Sequence, residues 1–314
     1  MKRIAVSIGD LNGIGIELAL RHHREACTIC RPLYLIDEQM LKQAATLLSV
    51  EIPSDFEILA PEAESFTIRP GRVDAAAGAY SFASFRTAVE LTAQRECAAL
   101  CTLPIHKQAW ELAGFPYKGH TDALRDFFDA EAIMMLGCPR MYVALYTEHI
   151  PLRRVPDSIE AEKLTCFLLD FRRESRIQEP IAVLGLNPHA GDGGVLGDEE
   201  RIIRQAIEEA NTRLQQDPAS EIQKQLFEGP LVPDVAFAPR SRRRYRHYVA
   251  MYHDQGLIPL KALYFDESIN VSLNLPILRT SVDHGTAFDI AYKNADPKAL
   301  SYLNALRYAA EHGR

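Results

Sequence analysis

Short apolar runs alternate with longer amphipathic ones along most of this chain, and that alternation limits it to few folds. The runs at 3–8, 33–36, 98–102, 142–146, 181–186 and 248–252 are short, apolar and bounded by turn residues, so they read as buried strands. Stretches 14–24, 39–48, 78–95, 157–171 and 198–214 read as helices, and a further helix is expected at 297–312. Strands joined by helices of about ten or more residues need crossover connections, which predicts an α/β chain with largely parallel sheets. Pro and Gly punctuate the strand ends instead of forming one long linker, and no internal repeat or low-complexity segment is visible.

Three of the expected strands lead into loops that each carry a histidine. They are His149 in Thr147-Glu148-His149-Ile150-Pro151, His189 in Asn187-Pro188-His189-Ala190-Gly191-Asp192-Gly193-Gly194, and His253 in Tyr252-His253-Asp254-Gln255-Gly256. Three imidazoles leave the remaining coordination positions to substrate, as an open catalytic metal site requires. A single histidine is more often a hydrogen-bonded surface or core residue, and no local spacing such as H-E-x-x-H joins these three. Imidazole donors suit Zn²⁺ first and Co²⁺ or Ni²⁺ next, whereas Mg²⁺ prefers oxygen. The glycine loop at 9–15 lies between a strand and a helix but is not G-x-G-x-x-G, and Asp37 is a weak partner for a ribose. Gly191, Gly193 and Gly194 are better candidates for close backbone approach to a nucleotide, because they adjoin a proposed metal ligand.

A length of 314 residues suits two ordinary domains or one large two-lobed unit. The formal charge of -7 argues against a nucleic-acid partner, and the arginine-rich run 240–246 reads as a solvated stretch between strands. Cys27 and Cys30 have redox-motif spacing, but no second pair completes a zinc site; Cys97, Cys101, Cys138 and Cys166 read as packing residues. No signal peptide is expected before the first strand, and no stretch of about twenty apolar residues could span a membrane. A reducing cytoplasm is the expected location.

Several ordered segments carry a wider likeness. Ile8-Gly9-Asp10, residues 13–18, Pro104-Ile105-His106-Lys107, Gly119-His120-Thr121-Asp122 and the stretches 147–153, 186–194, 252–261 and 275–287 together resemble the 4-hydroxythreonine-4-phosphate dehydrogenase family of the pyridoxal phosphate pathway. The resemblance implies an isocitrate-dehydrogenase-like fold of two lobes, with the active site in the cleft between them. Residues 1–130 with 280–314 would form the first lobe and 131–279 the second. It implies metal ligation by His149, His189 and His253, and substrate contacts from His120, Thr121, Lys261, Asn270 and Arg279. His120 and Thr121 precede an expected helix at 122–128, so their donors would lie where anions are favoured.

The implied reaction is oxidation of 4-phosphohydroxy-L-threonine at C3 with NAD or NADP, then decarboxylation to 3-amino-2-oxopropyl phosphate. Asp254, Asp234 (in a neighbouring strand) and Lys261 are the catalytic candidates, with Asp283-His284 as a further pair. The family also implies a homodimer with a shared active site, His253 coming from the partner chain. A paralogue acting on D-threonate or D-erythronate 4-phosphate is the alternative. The chain departs from the family's usual residues at Leu11-Asn12 (Pro-Ala), Asp74 (Ser), Asp122 and Asp192 (Glu), and Asn274 (Gly).

Overall fold

The expected strands and helices alternate as the pattern requires. The computed structural model describes residues 1–217, 226–295 and 297–314. By contact, the chain divides into unit 1, Met1–Ala132 with Asp266–Arg314, and unit 2, Ile133–Phe265. Unit 1 opens with β1 (Arg3–Ser7), α1 (Gly15–Arg21), α2 (His23–Ile29), β2 (Arg31–Leu35), α3 (Glu38–Leu48), β3 (Ile58–Leu59), α4 (Ala75–Ala93), β4 (Ala99–Thr102), α5 (Lys107–Leu112) and α6 (His120–Phe128). Unit 2 holds β5 (Ile133–Cys138), β6 (Met141–Leu145), α7 (Val155–Ser158), α8 (Ala161–Ser175), β7 (Ile181–Leu184), α9 (Glu199–Gln216), β8 (Phe227–Leu231), α10 (Pro233–Ala236), α11 (Pro239–Arg244), β9 (His247–Ala250) and α12 (His253–Tyr264). The chain then returns to unit 1 with β10 (Ile269–Leu273), β11 (Arg279–Val282) and α13 (Leu300–His312). The return comes at Asp266.

In unit 1 the strand order is β3-β2-β1-β4-β11-β10, parallel except for the last pair. In unit 2 it is β5-β6-β9-β7-β8, parallel except for β5 with β6. Ile4, Ala5 and Val6 of β1 are wholly buried, as a central parallel strand covered on both faces demands. Burying Ile4 or Val6 contributes about 1.5–3 kcal/mol each. Phe82, Phe85, Trp110 and Leu124 fill one core in unit 1, and Trp110 Nε1 donates to Ser81 Oγ at 2.8 Å. Val143, Leu145, Tyr248, Leu257 and Leu260 pack together in unit 2. No helix among the described residues is long and apolar enough to cross a membrane.

Four local expectations are corrected. The helix foreseen at 14–24 breaks at His22 (φ −111°), because α1 buries every residue from Gly15 to Leu20 while α2 buries only His23 and Ala26. The helix foreseen at 157–171 is two, α7 and α8. The strand foreseen at 248–252 stops at Ala250, and a helix unforeseen in the sequence follows. Gly256 and Pro259 lie inside that helix and disguise it; a Cβ on Gly256 would meet Val143 Cγ1 at 2.4 Å, so close packing on β6 requires the glycine. Finally, Cys166 is exposed on α8, not packed.

The loop after β1 holds a titrating group. Asp10 is fully buried; its Oδ1 accepts from Asn12 N at 2.9 Å and its Oδ2 has no partner. Burial chiefly, and Asp74 to a lesser degree, push its pKa up to about 7 from 3.8, against the lowering effect of the Asn12 bond. The native state therefore holds this proton more tightly than the unfolded chain does. The resulting stabilisation is full below about pH 4 and is lost as the pH rises to about 7, on the order of 4 kcal/mol in all. Asp10→Asn keeps the acceptor but removes the titration. Its Tm is expected to fall much less than the wild type's between about pH 4 and 7, and parallel Tm–pH curves would show the assignment to be wrong.

Candidate functional site

Unit 1 gathers a set of anion donors on one sheet face. β10 and β11 place Ser272 opposite Arg279 and Asn270 opposite Ser281, and cross-strand partners share a face. β4 ends at Thr102, level with Ser281. Arg279 is only 3% exposed, yet its partners are two hydroxyls and an imidazole. Its Nε and Nη2 donate to Thr102 Oγ1 at 3.0 and 2.7 Å, its Nη1 to Ser272 Oγ at 3.4 Å, and its Nη2 to His120 Nδ1 at 3.2 Å. No carboxylate among the described residues pairs with it. Burial lowers its pKa to about 10, which leaves it a cation at neutral pH.

His120 is buried edge-on to Phe85 and Trp110, with ring centroids 4.9 and 5.4 Å away. Burial first, then the charge on Arg279, hold its pKa well below the usual imidazole value, so it is neutral. Accepting from Arg279 at Nδ1 puts its proton on Nε2, and Nε2 is buried without a partner. His120 is also the first residue of α6, where free amides and the helix dipole favour an anion. Thr121 Oγ1 lies 3.5 Å from Ser272 Oγ, and Asn270 Oδ1 is a second buried atom without a partner. A cation, an orphan N–H, a helix start and hydroxyls with no negative charge among them fit a phosphate.

Unit 2 brings histidines to neighbouring strand ends. β6 and β9 are parallel neighbours with Leu145 level with Ala250, so the loops beyond them emerge side by side. His149 and His253 consequently have ring centroids 5.5 Å apart. Two imidazoles on one cation, with metal–nitrogen bonds of about 2.0–2.1 Å, have centroids roughly 5–6 Å apart, so the pair fits. His253 Nδ1 bonds Asp254 Oδ1 at 2.8 Å, which orients the ring and leaves Nε2 for a ligand.

His189 follows β7, the strand beside β9, in an unusual backbone run. His189, Ala190, Gly191, Asp192, Gly193 and Gly194 all have positive φ, from 45° to 102°. Each non-glycine held so costs about 1–2 kcal/mol and persists only where its surroundings enforce it. Glu200, 5% exposed, holds the segment that leads into the run: its Oε1 accepts from Leu186 N and Asn187 N at 2.9 and 2.7 Å, and its Oε2 from Asn187 Nδ2 at 2.9 Å. A Cβ on Gly191 would meet Glu200 Oε2 at 2.6 Å, so that glycine serves internal packing. A Cβ on Gly193 would meet nothing within 4 Å, so its backbone is open to a visiting group. Gly194 lies between, facing Arg201.

Asp234 is exposed on α10, a helical turn and not the strand expected, and α10 packs against the 188–194 segment. Lys261, half-buried on α12, lies with Nζ 5.8 Å from the Phe265 ring centroid. Asp283 N donates to Ser301 Oγ, and His284 Nε2 is buried without a partner. Thr102, Ser272 and Glu200 were not foreseen. Glu200 left a signal, since it shares the apolar face of α9 with Ile203 and Ile207. Among the described residues, the group of three His, Cys, Asp or Glu side chains with ligand atoms within 4.8 Å of one another is His23, Cys27 and Asp55, not the three histidines.

The profile described as pyridoxal phosphate biosynthetic protein PdxA matches residues 28–309. The chain belongs to the PdxA family. It is 57% identical over 311 residues to a 4-hydroxythreonine-4-phosphate dehydrogenase of Sulfurimonas denitrificans, covering 99% of this chain and 98% of that one. A Campylobacter fetus protein of the same name is 52% identical over 98% of this chain and 97% of its own. The crystal structure of the Klebsiella pneumoniae 4-hydroxythreonine-4-phosphate dehydrogenase superposes with a TM-score of 0.81 at 32% identity, covering both chains fully. The α/β, isocitrate-dehydrogenase-like fold expected from the sequence is thus the PdxA fold.

The unpaired guanidinium gives a prediction of opposite signs. Arg279→Met removes a buried charge that lacks a counter-ion, so without phosphate its Tm is expected to equal or exceed the wild type's. Inorganic phosphate should raise the wild-type Tm, and the variant's affinity for it should fall on the order of 10- to 100-fold. Thermal unfolding with and without phosphate checks both, and an equal phosphate response in the two proteins would remove Arg279 from the site.

Proposed function

We propose that this PdxA-family chain oxidises 4-phosphohydroxy-L-threonine at C3 with NAD or NADP, in a metal-dependent reaction followed by decarboxylation to 3-amino-2-oxopropyl phosphate, a step of pyridoxal 5′-phosphate (vitamin B6) biosynthesis. The observation that carries this reading is Arg279, a buried cation whose partners are all neutral. Arg279, His120 Nε2, Thr121 and Asn270 bind the phosphate, and Lys261 supplies a further cation to the substrate. His149, His189 and His253 hold a divalent cation, Zn²⁺ first and Co²⁺ or Mg²⁺ as alternatives, with Asp254 fixing the His253 ring. When bound, that cation polarises the reacting hydroxyl and the carboxylate end, and the nicotinamide accepts the hydride.

Gly193, with open space beside it, and the flanking Gly191 and Gly194 let the backbone approach the dinucleotide. Asp234 and Asp254 are the carboxylates available to take the hydroxyl proton. All six cysteines are free, which fits a reducing cytoplasm. A homodimer is supported by apolar exposure at the end of unit 2, where Ile258 and Phe265 are 67% and 63% exposed.

The deciding assay is NAD(P)H formation with 4-phosphohydroxy-L-threonine, before and after chelation and with Zn²⁺, Co²⁺ or Mg²⁺ restored. Turnover that disappears on chelation and returns with metal is expected. Turnover with D-threonate or D-erythronate 4-phosphate alone would transfer the chain to those substrates. The source of His253 is tested by mixing His149→Ala with His253→Ala protein. Recovery of activity is expected if the partner supplies His253; no recovery would assign the site to His149 and His253 of one chain, whose rings are already 5.5 Å apart.

A further inference from the structure

We propose a second metal site in unit 1, where His23, Cys27 and Asp55 bind one zinc-like divalent cation and tie α2 to the loop before β3. None of the three takes part in the reaction described above. His23 and Cys27 stand four residues apart on α2 and so on one helix face. His23 Nε2 lies 3.4 Å from Cys27 Sγ and 3.3 Å from Asp55 Oδ1, and all three ligand atoms are within 4.8 Å of one another. Tetrahedral zinc with ordinary bond lengths sets nitrogen–sulfur and nitrogen–oxygen edges of about 3.5 and 3.4 Å. The ligands thus already stand at nearly the separations that the cation would impose.

The imidazole is built into place. His23 is 1% exposed, its Nδ1 lies 3.0 Å from Tyr34 Oη, and its ring packs on Phe56 at 4.9 Å. Phe56 stacks in turn on Tyr34 at 3.9 Å, which fixes the backbone beside Asp55. With Nδ1 3.0 Å from the tyrosine hydroxyl, Nε2 is the nitrogen left for a cation, an arrangement that commonly orients metal-bound histidines, and the thiol above the ring reaches that cation by a side-chain rotation.

A Cys-His-Asp relay is the obvious rival, and the geometry argues against it. A relay needs the carboxylate on one ring nitrogen and the thiol on the other. Here the carboxylate is on Nε2 while Sγ, 3.4 Å from Nε2 and 3.8 Å from Nδ1, lies over the ring face and in line with neither nitrogen. Burial and the charge of Asp55 raise the Cys27 pKa, which is the reverse of an activated nucleophile. Cation binding would displace the thiol proton to solvent and form the metal–thiolate bond, with no change of oxidation state. Asp55 is exposed, so solvent can enter and supply the fourth ligand.

The test uses the full-length chain carrying His149→Ala, His189→Ala and His253→Ala, so that the other proposed metal ligands are absent. Co²⁺ is titrated under a phosphine reductant while thiolate-to-cobalt charge transfer is followed in the near ultraviolet. A band saturating at one equivalent is expected. Cys27→Ser should abolish it, Cys30→Ser should leave it, and Asp55→Asn should weaken binding by at least about tenfold. Absence of the band in excess Co²⁺, or its survival in Cys27→Ser, overturns the proposal; so does its loss in Cys30→Ser alone. Because the catalytic histidines are already replaced, failure here is separable from failure of the dehydrogenase reading.

Discussion

A guanidinium enclosed among uncharged partners sets much of what surrounds it in unit 1. Removing a cation from water costs several kcal/mol even after relaxation, and hydrogen bonds to a charge return about 1.5–3 kcal/mol each. Arg279 can therefore persist only where neighbouring strands end in hydroxyls, which Thr102 and Ser272 supply. Burial chiefly, and the same charge 3.2 Å away, keep His120 neutral. Phe85 and Trp110 wall the imidazole and reduce screening. What remains uncompensated is one positive charge, which suits an anionic ligand.

Unit 2 solves a different problem, that of bringing loops from separate strands together. The order β6-β9-β7 puts the loops bearing His149, His253 and His189 on successive neighbouring strands. A parallel sheet makes them emerge at the same edge. The His189 loop needs more than topology, since its left-handed backbone would relax if left alone. Glu200 reaches from the inward face of α9 to hold both amides at the end of that strand. The carboxylate acts there as a substitute for strand pairing, which is why a charged residue occupies an apolar helix face.

The features that the sequence made legible were the buried parallel strands, the histidines at their ends, and a helix expected at 122–128, which in the structure begins two residues earlier, at His120. Those that escaped were set by tertiary packing. α12 was hidden by Gly256, which is there because β6 lies too close for a side chain, and by Pro259. Thr102 and Ser272 read as ordinary strand residues, since nothing local announces that a buried arginine will need their hydroxyls. The break at His22 arises because two adjoining helical turns bury different faces, and composition alone does not show that.

Three of the six departures from the family's usual residues meet an internal demand. Asp74 replaces serine as the N-cap of α4 and accepts from Ala76 N at 2.8 Å, a task that either side chain performs. Asn274 replaces glycine at φ 60°, and asparagine is among the few side chains that tolerate this region; its Nδ2 also donates to Glu131 O. Asn12 bonds Arg69 N and Arg72 O, so the side chain itself anchors the segment it faces. In each case the demand is internal, a cap or a backbone angle or an anchor, and more than one residue can meet it. His120, Thr121, Asn270 and Arg279 show no departure. Two of their atoms, His120 Nε2 and Asn270 Oδ1, are buried without a partner among the described residues, unlike the cap, the backbone angle and the anchor above.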